Sequence, residues 1–256
     1  MKIVIKVGTS TLAHAGGHLN IRRVEELCKV MSDLKNAGHE LILVSSGAIG
    51  MGVGKLSLKE RPADMPTKQA AAAVGQCELM YTYDRLFSQY NHTVAQILIT
   101  AADVNHGERH ENFRNTLNRL LELGVLPIIN ENDSIATEEI VIGDNDTLAA
   151  MVAVSAEAEL LILLSDIDGL YTADPHKDPD AKLIETVSAL NEEILALAGG
   201  KGSDLGTGGM KTKLIAAGIA TEAGCDMVIT NGSRPACLYD LAEGKPVGTR
   251  FVAKKG

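Results

Sequence analysis

The sequence predicts an α/β fold, with a mainly parallel central sheet and helices on both of its faces. Three observations predict it. Short aliphatic runs recur along the 256 residues. Amphipathic stretches of helical length separate them. The runs themselves lack strict apolar/polar alternation, as strands covered on both faces do.

In chain order, the first strand is "KIVIKV" (2–7). Residues 21–37 follow as a helix, because Ile21, Val24, Cys28, Met31 and Leu34 fall at helical spacing. Asn20 is placed to cap that helix and Gly38 to end it. The next strand is "ELILVS" (40–45), followed by a helix over 67–89. Then come "VAQILI" (94–99), a helix over 109–123 and "VLPIIN" (125–130). The pattern closes with a helix over 146–156, "LLILLS" (160–165), a helix over 209–223 and "DMVIT" (226–230). "TADPHKDPD" (172–180) reads as a charged, proline-bearing loop. With no repeat and no convincing linker, residues 1–256 read as a single domain.

Composition narrows the function. Hydrophobic residues make up 45% of the chain, enough for a sizeable core. The net charge is -9, aromatic residues are 3% and Trp is absent. That argues against nucleic acid, which calls for a basic face and often stacking rings. The chain opens on a strand rather than a signal peptide. No uncharged apolar run reaches the roughly 18 residues a membrane span needs. Cys28, Cys77, Cys225 and Cys237 lie far apart and form no CxxC pair. They read as four buried thiols in a reducing, cytoplasmic compartment.

Five strands end in small or polar residues: "KVGTS", "VSSGAIG", "INENDS", "LSDIDG" and "ITNGS". In open α/β sheets, ligands bind beyond the carboxyl ends of the strands. Five such endings predict one large polar site on a single rim.

Three stretches carry candidate chemistry. Lys6 stands inside an apolar strand and must reach the rim or be paired, because a buried unpaired charge is costly. "GDNDTLAAM" (143–151) crowds Asp144, Asn145 and Asp146 at a helix start, near Glu131 and Asp133 of "NENDS". Asp146 there is either a helix cap or part of an Asp/Asn cluster suited to ammonium, lysine or Mg²⁺. "LGTGGMKTK" (205–213) places Gly206, Gly208 and Gly209 before a helix starting near Met210, with Lys213 one turn in. A nest of backbone N–H groups and the positive end of the helix dipole favour phosphate at such a position. It is not a Walker loop, since Met210 precedes Lys211. Other patterns fail: "GMGVGK" (50–55) does not complete GxGxxG, "HGERH" (106–110) lacks the HExxH order and a third ligand, and no GxSxG exists.

Taken together, "IKVGTS", "VSSGAIG", "KQAAAAVGQ", "INENDSIAT", "GDNDTLAA", "SDIDGLYTADP" and "GTGGMKTK" resemble the amino-acid kinase family, in family order from residue 3 to about 213. The resemblance implies an open αβα sandwich. It implies ATP, with Mg²⁺, as phosphoryl donor and the γ-carboxylate of L-glutamate as acceptor, the first step of proline biosynthesis, with proline as feedback inhibitor. It implies Lys6 and Lys213 as phosphate-facing cations and Asp146 as the residue that holds them. Ser46, Asp133 and Asn145 would bind glutamate, Asp133 through the α-ammonium. Ser165, Asp166, Thr207, Gly208, Gly209, Met210, Lys211, Thr212 and Lys213 would form the nucleotide site. The N-terminal part would serve mainly glutamate and the C-terminal part mainly the nucleotide. No metal ligands are assigned. The resemblance also implies a homo-oligomer, a dimer or tetramer. Many bacterial relatives carry a further C-terminal domain, called PUA, and this sequence stops at "FVAKKG" without one. Two other readings stand beside this one. One is a sister kinase for N-acetylglutamate, carbamate or another small acid. The other is a non-catalytic amino-acid-binding regulator on the same fold.

Overall fold

The computed structural model describes residues 1–14, 18–100, 103–104, 107–135, 145–175, 177–197 and 209–254. Eight strands form one sheet: β1 (Lys2–Val7), β2 (Glu40–Ser45), β3 (Val94–Ile99), β4 (Leu126–Glu131), β5 (Leu160–Ser165), β6 (Thr186–Val187), β7 (Asp226–Asn231) and β8 (Thr249–Phe251). Their order across the sheet is β3-β4-β2-β1-β5-β7-β8-β6. Every pairing is parallel except β7 with β8. The expected mainly parallel α/β sheet is therefore present.

Strand alternation divides the core into two layers. Ile3, Ile5 and Val7 of β1 face one side, with Leu41, Leu43, Ile162 and Leu164 beside them. Against that side pack α2 (Ile21–Asn36), α4 (Met65–Ser88) and α9 (Cys237–Ala242). Val4, Ile42, Val44, Leu161 and Leu163 face the other side. There they meet α5 (Glu108–Glu122), α6 (Asn145–Ser155) and α8 (Met210–Glu222). Each such Ile or Leu contributes about 1.5–3 kcal/mol when fully buried. The layers make the αβα sandwich.

Local chemistry sets the helix ends. Asn20 Oδ1 accepts the Arg23 N–H at 3.3 Å, and Gly38, at φ +93°, takes the left-handed conformation just past the end of α2. Asp64 caps α4 in the same way, its Oδ1 accepting the Thr67 N–H at 2.9 Å. Val24, Cys28, Met31 and Leu34 are buried as expected, but Ile21, the first residue of α2, is 58% exposed. The expectation of four buried thiols also needs correcting. All four are free, yet Cys77 is exposed on α4 and Cys237 is only partly covered. Burial pushes the Cys225 thiol up to about 12 and that of Cys237 to about 11. Among the described residues, no helix is long and apolar enough to cross a membrane.

Several elements have no clear sequence signal: α1 (Thr9–Leu12), α3 (Ala48–Lys55), α7 (Glu192–Leu197), α9, β6 and β8. Most are too short for periodicity to show. α3 holds Gly50, Gly52 and Gly54, each poor in a helix by about 1 kcal/mol relative to Ala. Its close crossing with α4 accounts for two glycines. A Cβ on Gly52 would overlap the Ala71 carbonyl, and a Cβ on Gly75 would overlap the Ala48 carbonyl. Only glycine lets the two backbones touch. Gly75→Ala adds about 1 kcal/mol of helix propensity but drives a methyl into backbone, where no rotamer relieves it. The expected outcome is a net loss on the order of 1–3 kcal/mol, or a drop of roughly 2–12 °C in Tm. A thermal melt checks it, and an unchanged Tm would show that the helices separate freely.

Candidate active site

Strands β1, β2, β4, β5 and β7 run parallel, so their carboxyl ends share one rim. The five polar endings are thereby brought to one side of the sheet. The first turns of α6 and α8 lie there as well, because both helices return against the same face.

Lys6, the fifth residue of β1, points to the α6/α8 side, on the same face as Val4. Its Nζ lies 2.6 Å from Asp146 Oδ1. Lys213 Nζ donates to Asp146 Oδ2 at 2.8 Å. The three side chains are 8%, 1% and 7% exposed for Lys6, Asp146 and Lys213. Asp146 is the second residue of α6, not its cap, and its carboxylate is spent on the two lysines. Within the trio, two ammonium groups face one carboxylate. Held in a site largely closed to water, such charges act more strongly than at the surface. Lysines so placed suit an anion arriving at the rim.

Beside the trio opens a cavity of about 790 Å³, lined by Thr9, Ser46, Arg61, Asn130, Asp133 and Asn145 among others. All three residues expected to bind substrate, Ser46, Asp133 and Asn145, are in its wall. Asn145 Nδ2 lies 2.7 Å from Ser46 Oγ, 3.0 Å from Asn130 Oδ1 and 3.3 Å from the Ser45 carbonyl. Asn130 is in turn oriented from behind, donating through Nδ2 to Gln76 Oε1 at 2.9 Å. Gln76 donates to Gln96 Oε1 at 3.3 Å. Asn130 and Gln76 lie within the quoted stretches "INENDS" and "KQAAAAVGQ", but no spacing rule assigns them a role. The available signal was a polar side chain amid apolar neighbours.

Burial pushes the Asp133 carboxyl above its ordinary range, and the Arg61 charge opposes that rise. A carboxyl raised on folding stabilises the fold below its unfolded pKa. That contribution is lost as pH climbs through the folded pKa. Above its unfolded pKa, Asp133 therefore weighs against the ligand-free protein. Asp133→Asn is expected to raise Tm at pH 7, with the gain shrinking as pH is lowered through the folded pKa. Melting curves from pH 8 downwards check this; a lower Tm at pH 7 would contradict it.

The candidate nucleotide residues occupy neighbouring rim positions. Ser165 ends β5, its Oγ–H donating to exposed Asp166 at 3.1 Å and its carbonyl accepting the Gly232 N–H at 2.8 Å. Gly209 precedes α8, and the Thr212 hydroxyl donates to its carbonyl at 2.8 Å. Lys211 is exposed and Met210 packs partly into the core beneath. Thr207 and Gly208, with Gly206 and Asp144, lie outside the described residues.

The sheet and its two helical layers define an αβα sandwich whose rim carries two buried lysines on one aspartate. The model of the amino acid kinase family matches residues 1–231, and the chain belongs to that family. Within it, the chain is similar to proteins named glutamate 5-kinase. That of Clostridium acetobutylicum is 54% identical over 99% of this chain and 95% of its own length. That of Listeria innocua is 50% identical over 99% of this chain and 94% of its own. Solved structures share the fold at lower identity. Carbamate kinase from Giardia lamblia bound to AMP-PNP has a TM-score of 0.70 at 18% identity, covering 99% of this chain and 98% of its own. An isopentenyl phosphate kinase from T. acidophilum has a TM-score of 0.68 at 17% identity, covering 98% and 100%.

Proposed function

We propose that this chain, acting as one kinase domain over residues 1–256, transfers the γ-phosphoryl group of ATP to the γ-carboxylate of L-glutamate. The products are L-glutamate 5-phosphate and ADP. One observation carries the reading: Asn145 lines the cavity while its neighbour Asp146 holds both lysines. An amino-acid pocket and a phosphate-facing charge thus share one helix start. Relatives at about half identity over nearly the full chain support the same reaction.

In this reading a γ-carboxylate oxygen attacks Pγ in line. The bond from Pγ to the β,γ-bridging oxygen breaks, and that oxygen leaves with its electron pair on ADP. At neutral pH the nucleophile is already ionised, so no proton is abstracted and no general base is required. What remains is to bring two anions together and to stabilise the charge that spreads over the transferring group. Lys6 and Lys213 do the second, held in place by Asp146. Ser46, Asp133 and Asn145 do the first. Ser165, Asp166 and residues 207–213 hold the nucleotide. Magnesium enters as part of the substrate, Mg·ATP, held mainly by the phosphates. The same reading places the protein in the cytoplasm at the start of proline biosynthesis, as a homo-oligomer with proline as feedback ligand.

The test is ADP release with Mg·ATP. It should depend on L-glutamate, and hydroxylamine should trap an acyl hydroxamate. Equal or greater turnover with N-acetylglutamate would move the assignment to a sister activity. Asp133 sharpens the distinction, since a carboxylate suits a free ammonium and acetylation removes that charge. Asp133→Ala is expected to raise the glutamate KM roughly ten- to hundredfold, the equivalent of about 1.5–3 kcal/mol, with little change in the ATP KM. A folded variant with an unchanged glutamate KM would rule out the role.

A further inference from the structure

Glutamate carries three charged groups. The reading above brings the γ-carboxylate to the phosphoryl group that the lysines face and gives the α-ammonium to Asp133, with Ser46 and Asn145 as neutral polar partners. The α-carboxylate is left without a charged partner. We propose that Arg61 takes it, so that Arg61 and Asp133 together read the zwitterionic end of the amino acid. This rests on the proposed function of the cavity.

Arg61 and Asp133 line the same 790 Å³ cavity. The charge of Arg61 acts on the Asp133 carboxyl, opposing its burial-driven rise. Among the described residues, neither side chain makes a hydrogen bond or a close ion pair, and the two interact only at longer range. Opposite charges held near each other without contact fit a ligand whose ammonium and carboxylate share one carbon. Lys59 also lines the cavity. Arg61 is better suited, because a guanidinium meets a carboxylate through two parallel N–H donors where an ammonium offers a point charge.

The Arg61 side chain is exposed, while the backbone on either side of it is anchored. Pro62 follows it and restricts Arg61 to extended backbone. The segment 56–64 is tied at both ends. The Leu58 N–H donates to the Val53 carbonyl at 3.0 Å, and Asp64 caps α4. Beyond those ties, α3 and α4 are in backbone contact at Gly52 and Gly75.

The experiment compares L-glutamate with its α-amide, which keeps the shape and removes the α-carboxylate charge. Binding is measured by calorimetry without nucleotide, on wild type, Arg61→Ala and Arg61→Lys, and each variant is melted to confirm folding. Wild type is expected to prefer L-glutamate about ten- to hundredfold. In Arg61→Ala that preference should fall to near one, chiefly through weaker glutamate binding, and Arg61→Lys should restore only part of it. A wild type without preference, a wild type that does not bind glutamate, or an Arg61→Ala protein that keeps the preference overturns the proposal. Glutamate binding that obeys this pattern without any ADP release would sink the kinase reading while leaving the role of Arg61 standing.

Discussion

Lys213→Ala is expected to lose about 10²–10³ in kcat while binding ATP within a few fold of wild type. Lys213 sits on the first turn of α8, 7% exposed, its ammonium already fixed 2.8 Å from Asp146. A charge positioned before the reaction has no reorganisation left to make. It acts most where the charge on the phosphoryl oxygens shifts, and interactions stronger in the transition state than in the ground state raise kcat. The substitution leaves Lys6 paired to Asp146 at 2.6 Å, so the remaining pair is formally neutral and folding should survive. Lys6→Ala should fall in the same range. ADP release at saturating glutamate and Mg·ATP, beside a separate ATP titration, separates the two effects. A near-normal kcat, or a loss confined to ATP affinity, would remove Lys213 from the chemistry.

Much of this site was legible in the sequence, and the reason is physical. Buried parallel strands announce themselves as aliphatic runs, and their polar endings then fall on one rim by topology alone. Lys6 was visible because a lysine is out of place within "KIVIKV", and Lys213 because glycines precede its helix. That one carboxylate joins them was not legible from spacing. Asp146 lies 140 residues after Lys6 and 67 before Lys213. Its position at a helix start fitted a cap equally well, and the family resemblance made the choice.

What stayed hidden depends on tertiary partners. α3 carries three glycines in eight residues and looks like a loop until α4 is placed against it. β8 is three residues long and gains its meaning only from antiparallel pairing with β7. Gln76 gives no sign of a role until Asn130 arrives from β4 to meet it. Arg61 looks like any surface arginine until a cavity and Asp133 are beside it. In each case the determining contact joins segments whose local patterns are independent, so no window along the chain contains the information.

The largest effect on stability is expected at Asp146. Asp146→Leu removes the carboxylate that two buried lysines share. Removing one partner of a buried ion pair typically costs about 3–5 kcal/mol, because the remaining charge stays desolvated. In a chain of this size that corresponds to a Tm lower by roughly 6–20 °C. Asp146→Asn is the milder probe, since it keeps the shape and one acceptor. It should lower kcat by loosening both lysines without deleting either. Combined with Lys6→Ala, its loss should be smaller than the product of the single losses, as for groups that act as a unit. Strict multiplicativity would show that the two act independently. The decisive variant replaces the whole trio, with Lys6→Met, Asp146→Leu and Lys213→Met. Buried ion clusters exchanged for apolar side chains of similar volume are often neutral or stabilising, by about 1–4 kcal/mol. The triple variant is therefore expected to melt at or above the wild-type temperature and to have no measurable kinase activity. That outcome would mean the trio is kept for phosphoryl transfer at the expense of stability. A triple variant that melts as low as Asp146→Leu alone would show instead that these charges hold α6 and α8 to the sheet.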